Sequence, residues 1–286
     1  MLAGCWSTPD RPLVSQQQSC LNSECHAAVE QIHYGGPALS CTDCHLGDPT
    51  EPTKERAHVT ADVSFNASTP GARHLDAPSL AEVDALSLDI IQFLNPSDYR
   101  VAMRTCGDSS LGGAGCHISI VESSLLMNRA TLAGQLAGGG FLMGLHDRGA
   151  RYSVADVVDE HVPDELADGT LAALSQLPVD SPHGDGGAIA EAAFPIFEQL
   201  CLECHLLREG EKSPGLYYAS GCAGCHMVTT HDSRAETDDI TQDVEELGHV
   251  SRHRFTNLIP DKQCAHCHVS HLGRALLSQG VRERSE

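Results

Sequence analysis

Aromatic side chains are scarce: among 286 residues there are one Trp, five Tyr and six Phe, 4% of the chain. So few large rings are thin filling for a core of this length, and another group must supply interior volume. Cations are scarce as well. Lys and Arg number 18 against 39 Asp and Glu, a formal charge of 18 − 39 = −21, and only three are lysines, at positions 54, 212 and 262. That balance excludes nucleic acid as the default partner, because phosphate binding needs clustered cations. No run of 18 apolar residues exists, so no segment reads as a membrane-spanning helix.

What the chain has in excess is 13 Cys and 17 His. Twelve of the Cys form six pairs, and in each pair His follows the second Cys directly: His26, His45, His117, His205, His226 and His268. Four pairs read C-x-x-C-H, the signature of c-type haem attachment: Cys41/Cys44, Cys201/Cys204, Cys222/Cys225 and Cys264/Cys267. Two thiols add to the two vinyl groups on one porphyrin edge, and the following His is carried under the iron as proximal ligand. The chemistry fixes the separation of the sulfurs, not the number of residues between them. Cys20/Cys25 spaces its thiols by four residues. Cys106/Cys116 spaces them by nine, through a segment with glycines at 107, 112, 113 and 115 that lets the chain bulge outward. At that site two attachments stay open: through both thiols, or through Cys116 alone with Cys106 free. Structural zinc would not demand His after each second Cys, a disulfide scaffold leaves the His unexplained, and catalytic Cys chemistry needs one privileged thiol.

Six haems in 286 residues leave 286 / 6, about 48 residues each, too few for separate haem domains. The expected fold is therefore mostly irregular chain with short α-helices packed around a chain of covalent haems, with little or no β-sheet. Residues 1–60 form an N-terminal two-haem segment, 61–195 a middle segment with one haem and helices, and 196–286 a C-terminal three-haem segment, in one continuous haem-cored unit. Apolar spacing predicts a helix from Ile118 onward through about residue 133, and further helices over 154–160 and 165–177. Met127 and Met143 are sulfur-ligand candidates, although Met on an apolar helical face more often fills a core. Gly and Pro clusters at 35–37, 181–182 and 184–187 mark loops.

Eleven His remain after the proximal six, at 33, 58, 74, 146, 161, 183, 231, 249, 253, 266 and 271. Six irons each need a second axial ligand, so the surplus favours bis-His coordination, which closes the iron to substrate and suits electron transfer. The distal candidates are His33, His58, His146, His231, His249, His253 and His271. His33 is expected two turns beyond His26 on one helix, where it cannot reach the far face of the same haem and must serve a neighbour. His249 and His253 share a helical face if their segment is helical. For His74, His161 and His183 a solvated or propionate-binding role weighs equally, and His266 sits inside an attachment motif.

Several strings resemble large bacterial multihaem c-type cytochromes: His33 with Leu-Ser-Cys41-Thr-Asp-Cys44-His45 and Ala57-His58-Val59; Phe93-Leu-Asn-Pro-Ser-Asp-Tyr-Arg-Val-Ala-Met-Arg-Thr-Cys106; Leu132-Ala-Gly-Gln-Leu-Ala-Gly; Ser220-Gly-Cys-Ala-Gly-Cys-His226; and Gly248-His-Val-Ser-Arg-His-Arg-Phe through Cys264. The resemblance covers roughly half the chain and implies electron-transfer haems, with His33, His58, His249 and His253 as distal ligands. The third site departs from that pattern, which would have C-x-x-C-H there. The count of six is similar to that of extracellular cytochrome filaments.

The expectation is a protein carrying six haem c groups with their iron and relaying electrons outside the cytoplasm, in the periplasm, at the outer-membrane surface or extracellularly. Its partners would be other redox proteins, cationic cytochromes or neighbouring subunits in a homo-polymer. The alternatives are an oxyanion reductase with one open haem, for which the third site is the candidate, and a filament subunit. Leu2-Ala3-Gly4-Cys5 resembles the end of a bacterial lipoprotein signal, which makes Cys5 a lipidation candidate and a lipid anchor the one expected membrane contact.

Overall fold

The computed structural model describes residues 19–33, 39–59, 88–107, 115–125, 137–138, 140–142, 144, 148–149, 153–156, 165, 170–173, 209–210 and 212–268. Its helices are short, and three of them lie on Cys-His motifs. Helix α1, Cys41–His45, is one attachment motif from end to end. Ser40 caps it: the Asp43 amide donates to Ser40 Oγ (3.1 Å) and the Ser40 amide donates to Asp43 Oδ2 (2.8 Å), which explains an acid inside the motif. The chain then reverses at Leu46 and Gly47, both at positive φ (61° and 88°). A Cβ at Gly47 would collide with the Ala57 carbonyl oxygen, the end of α2, Lys54–Ala57. The reversal, sealed by the Asp48 amide donating to that oxygen (2.9 Å), places His58 beside the first motifs.

Helix α3, Leu88–Leu94, buries Ile90, Ile91 and Gln92, and a π-helical turn, Met103–Gly107, carries Cys106. Helix α4, Ile118–Leu125, starts directly after His117, as its apolar spacing predicts; the expected continuation past 125, with Met127 and Met143, lies outside the described residues. A helical turn α5, Gly140–Leu142, follows. Strands β1, Ser153–Asp156, and β2, Thr170–Ala173, pair in parallel with Val154 opposite Leu171. This corrects the helices expected over 154–160 and 165–177. An isolated helix of two turns is marginal, whereas β-branched Val154 and Thr170 suit an extended ladder. Helices α6, Ala223–His226, and α7, Asp261–His268, coincide with two further motifs.

The three sequence segments interlock. Ser97 accepts from the Cys222 amide through its carbonyl (3.0 Å) and from the Ala223 amide through Oγ (3.0 Å). Asn95 donates to Ser220, and the buried Asp98 carboxylate holds Arg100 in a bidentate pair (2.8 and 2.7 Å) while accepting from the Ser220 hydroxyl. Gly221 makes this approach possible: it sits at φ 64°, and a Cβ there would strike the Ser97 backbone. The Phe255 amide donates to the Ile32 carbonyl (2.9 Å), joining the C-terminal segment to the first. Among the described residues the buried apolar side chains include Ile90, Ile91, Tyr99, Val101, Val121, Tyr217, Tyr218 and Met227; no Leu, Phe or Trp is among them.

Candidate functional site: paired imidazoles and convergent thiols

Three of the proximal candidates each face a His from elsewhere in the chain. His26 and His58 have ring centroids 6.3 Å apart at 27°, His117 and His33 6.0 Å at 20°, and His45 and His253 5.9 Å at 34°. A metal–imidazole bond of about 2.0 Å, with the ring centre about 1.1 Å beyond the nitrogen, puts two axial imidazoles on one metal about 6.2 Å apart. All three pairs match that separation. Among the described residues no cluster of three or more His, Cys, Asp or Glu side chains converges as a bare ion would need.

The ring hydrogen bonds sort the nitrogens in the same sense. His45 Nδ1 lies 2.7 Å from the Phe93 carbonyl oxygen, His226 Nδ1 2.8 Å from that of Thr256, His253 Nδ1 2.9 Å from that of Glu30, and His26 Nδ1 2.9 Å from Asp239 Oδ2. Each of these oxygens can only accept, so each Nδ1 donates and Nε2 is the ring nitrogen outside that bond. Metal-ligating His residues are held in this way. Burial lowers the His45 pKa to about 4 against the opposing Phe93 hydrogen bond, and His253 and His26 depress it further. Burial and then His117 lower that of His33, whose Nδ1 is buried with no hydrogen-bond partner. Neutral imidazole is the ligating form.

The attachment motifs share one contact in spite of their different lengths. The His amide donates to the carbonyl of the first Cys in Cys222–His226 (3.0 Å), in Cys20–His26 (2.8 Å) and in Cys106–His117 (2.9 Å). The first is an ordinary helical turn; the other two extrude the additional residues and restore the same closure. The nine-residue spacing thus brings Cys106 back to His117. Cys106 is a free thiol, while Cys116 is disulfide-bonded. That bond competes with a thioether at Cys116.

The side chains of Cys20, Cys25, Cys41, Cys44, Cys106, Cys222 and Cys225 are half-buried, and that of Cys264 is exposed. The Cys225 amide donates to the Cys222 carbonyl (3.2 Å), and both sulfurs lie near Tyr99, whose phenol is raised first by burial and then by Cys222 and Cys225.

Thiols from different motifs converge. Cys41 is hydrogen-bonded to Cys20, and its pKa is raised by burial and by that neighbour. Burial first, and the Cys106 charge next, push Cys44 and Cys222 up to about 12; burial also raises Cys106, against a hydrogen bond from Thr105. The motifs therefore adjoin in the order Cys20, Cys41/Cys44, Cys106, Cys222/Cys225.

Not every expected ligand is brought in. His33 does not continue a helix from His26, because residues 29–33 have left helical conformation, and this is what frees it to reach His117. The segment holding His249 and His253 is not helical either. His249 is buried with Nδ1 2.6 Å from Gln242 Nε2 and Nε2 3.3 Å from Glu246 Oε2. His231 is exposed and has no ring or hydrogen-bond partner among the described residues. Cys5, His146, Cys201, Cys204, His205 and His271 lie outside the described residues, as do the side chains of Cys267 and His268.

Sequence reasoning missed the residues that support the ligands. Gln263, beside Cys264, accepts from the Thr229 amide (3.0 Å) and donates to the carbonyls of Gly224 (2.8 Å) and Met227 (3.3 Å), tying α7 to α6. Gln92 donates to the Cys44 carbonyl (3.1 Å). A polar residue next to a motif was the only available signal. Comparison with protein-family models, with curated proteins and with solved structures finds no match to the chain.

Proposed function

We propose that the chain is a hexahaem c-type cytochrome that relays electrons outside the cytoplasm. The observation that carries this reading is the three imidazole pairs at 5.9–6.3 Å, each joining a motif His to a His remote in sequence. Bound haem would supply reversible one-electron iron chemistry. The chain's own residues do the rest. Cys20/Cys25, Cys41/Cys44, Cys106/Cys116, Cys201/Cys204, Cys222/Cys225 and Cys264/Cys267 would hold the six groups. His26/His58, His45/His253 and His117/His33 would fill both axial positions of three of them, which favours transfer over substrate binding. Carbonyl and carboxylate acceptors fix the rings, and the adjoining thiols string at least four attachment sites into a path. At the third site the reading requires the Cys116 disulfide to be reduced before attachment.

The experiment is an absorption spectrum of the reduced protein with a haem-to-protein ratio, paired with electron paramagnetic resonance of the oxidised form. Six haems per chain, all low-spin, is the expected result. A substantial high-spin fraction at rest would favour the reductase instead, and no haem would overturn both.

A further inference from the structure

His26 differs from the other imidazoles whose Nδ1 faces an oxygen acceptor. His45, His226 and His253 donate to neutral backbone carbonyls, whereas His26 donates to the Asp239 carboxylate. That carboxylate is fixed. It is 9% exposed on its side chain, and its Oδ1 accepts from the Thr241 amide (2.9 Å) and the Thr241 hydroxyl (2.8 Å), leaving Oδ2 for His26. The Thr241 hydroxyl also lies 2.9 Å from His26 Nδ1; having given its proton to Asp239, it can only accept there. Two acceptors, one charged, thus face a single N–H.

We propose that Asp239 is a positioning residue that, through His26, lowers the reduction potential of the haem carried by Cys20 and Cys25. This rests on the haem reading above. The physical step is short: a carboxylate drawing on the Nδ1 proton makes Nε2 a stronger donor, and stronger donation with a nearby negative charge favours ferric over ferrous iron. The neutral carbonyls at His45 and His226 give less of both. One haem of the chain is then set apart in potential by an acid 213 residues away in sequence.

The test is redox titration of the whole haem-loaded protein with Asp239→Asn, Asp239→Glu and Asp239→Ala. Asp239→Asn keeps the shape and removes the charge, so one midpoint of six should rise and the other five stay. Asp239→Glu should restore it. Asp239→Ala removes the acceptor as well as the charge and should move the same midpoint up. Unchanged midpoints in Asp239→Asn with six haems retained, or shifts of opposite sign in Asp239→Asn and Asp239→Ala, would overturn the proposal and leave the haem reading standing. Should Asp239→Asn fail to accumulate, the Asp239→Ala shift decides alone. Unaltered protein without covalent haem would instead overturn the haem reading.

Discussion

At the scale of single residues, the proposal stands on three imidazole pairs with ring centroids 5.9–6.3 Å apart. Replacing His253 with Ala would leave the iron above His45 without its second ligand, and one of six centres is expected to turn high-spin with all six haems still attached, because the thioethers do not depend on the distal ligand. Paramagnetic resonance with a haem count checks this. His58→Ala and His33→Ala should each do the same at a different centre. A separate residue-scale expectation concerns Tyr217, buried and hydrogen-bonded to Glu209; burial and then the Glu209 charge hold its phenol well above its ordinary value. A folded pKa above the unfolded one means that the stabilisation is complete below about pH 10 and is lost as pH rises through the folded value. Thermal melts should fall steeply above about pH 10, and less steeply in Tyr217→Phe, which should cost about 1 kcal/mol at neutral pH. The Cys-His motifs and the candidacy of His33, His58 and His253 were legible in the sequence; which motif His each of them faces was not, since nothing local ties His33 to His117 or His58 to His26.

Elements in this protein are only a few residues long, and what locks them is side chains and tight turns. Gly221 is the clearest case, with positive φ and the Ser97 backbone against its Cα. Gly221→Ala should destabilise by about 1–3 kcal/mol or more, read as a lower melting temperature with loosened attachment at Cys222. Gln263→Leu breaks three buried hydrogen bonds between α6 and α7 and strands the Thr229 amide, at a cost of about 2–3 kcal/mol. Helices on the motifs were legible because Cys-His spacing and caps such as Ser40 with Asp43 are local. The β1/β2 pair was not, because a parallel partner is set by chain elsewhere, and a seven-residue apolar pattern does not separate helix from strand. The nine-residue loop was legible only as a possibility; the contact of His117 with the Cys106 carbonyl turns it into a closure shared with shorter motifs.

At the scale of the whole molecule, charge and interior make one argument. A formal charge of −21 and three lysines leave little basis for a cationic docking face, so the expected redox partners are cationic. Electron exchange with a small basic cytochrome should slow several-fold between about 0.01 M and 0.15 M ionic strength, as the screening length shrinks from about 30 to 8 Å; stopped-flow mixing measures it, and a rate indifferent to salt would refute electrostatic steering. Among the described residues Tyr99, Tyr217 and Tyr218 are the largest buried apolar side chains; on the haem reading, porphyrin would supply further interior volume. The scarcity of aromatics was legible from twelve in 286 residues, whereas the neighbourhood of Cys20 with Cys41 and of Cys44 and Cys222 with Cys106 was not. The most direct measurement of the central claim is the intact mass of the denatured protein: the account predicts the polypeptide plus six haems, and a mass equal to the polypeptide alone would contradict it.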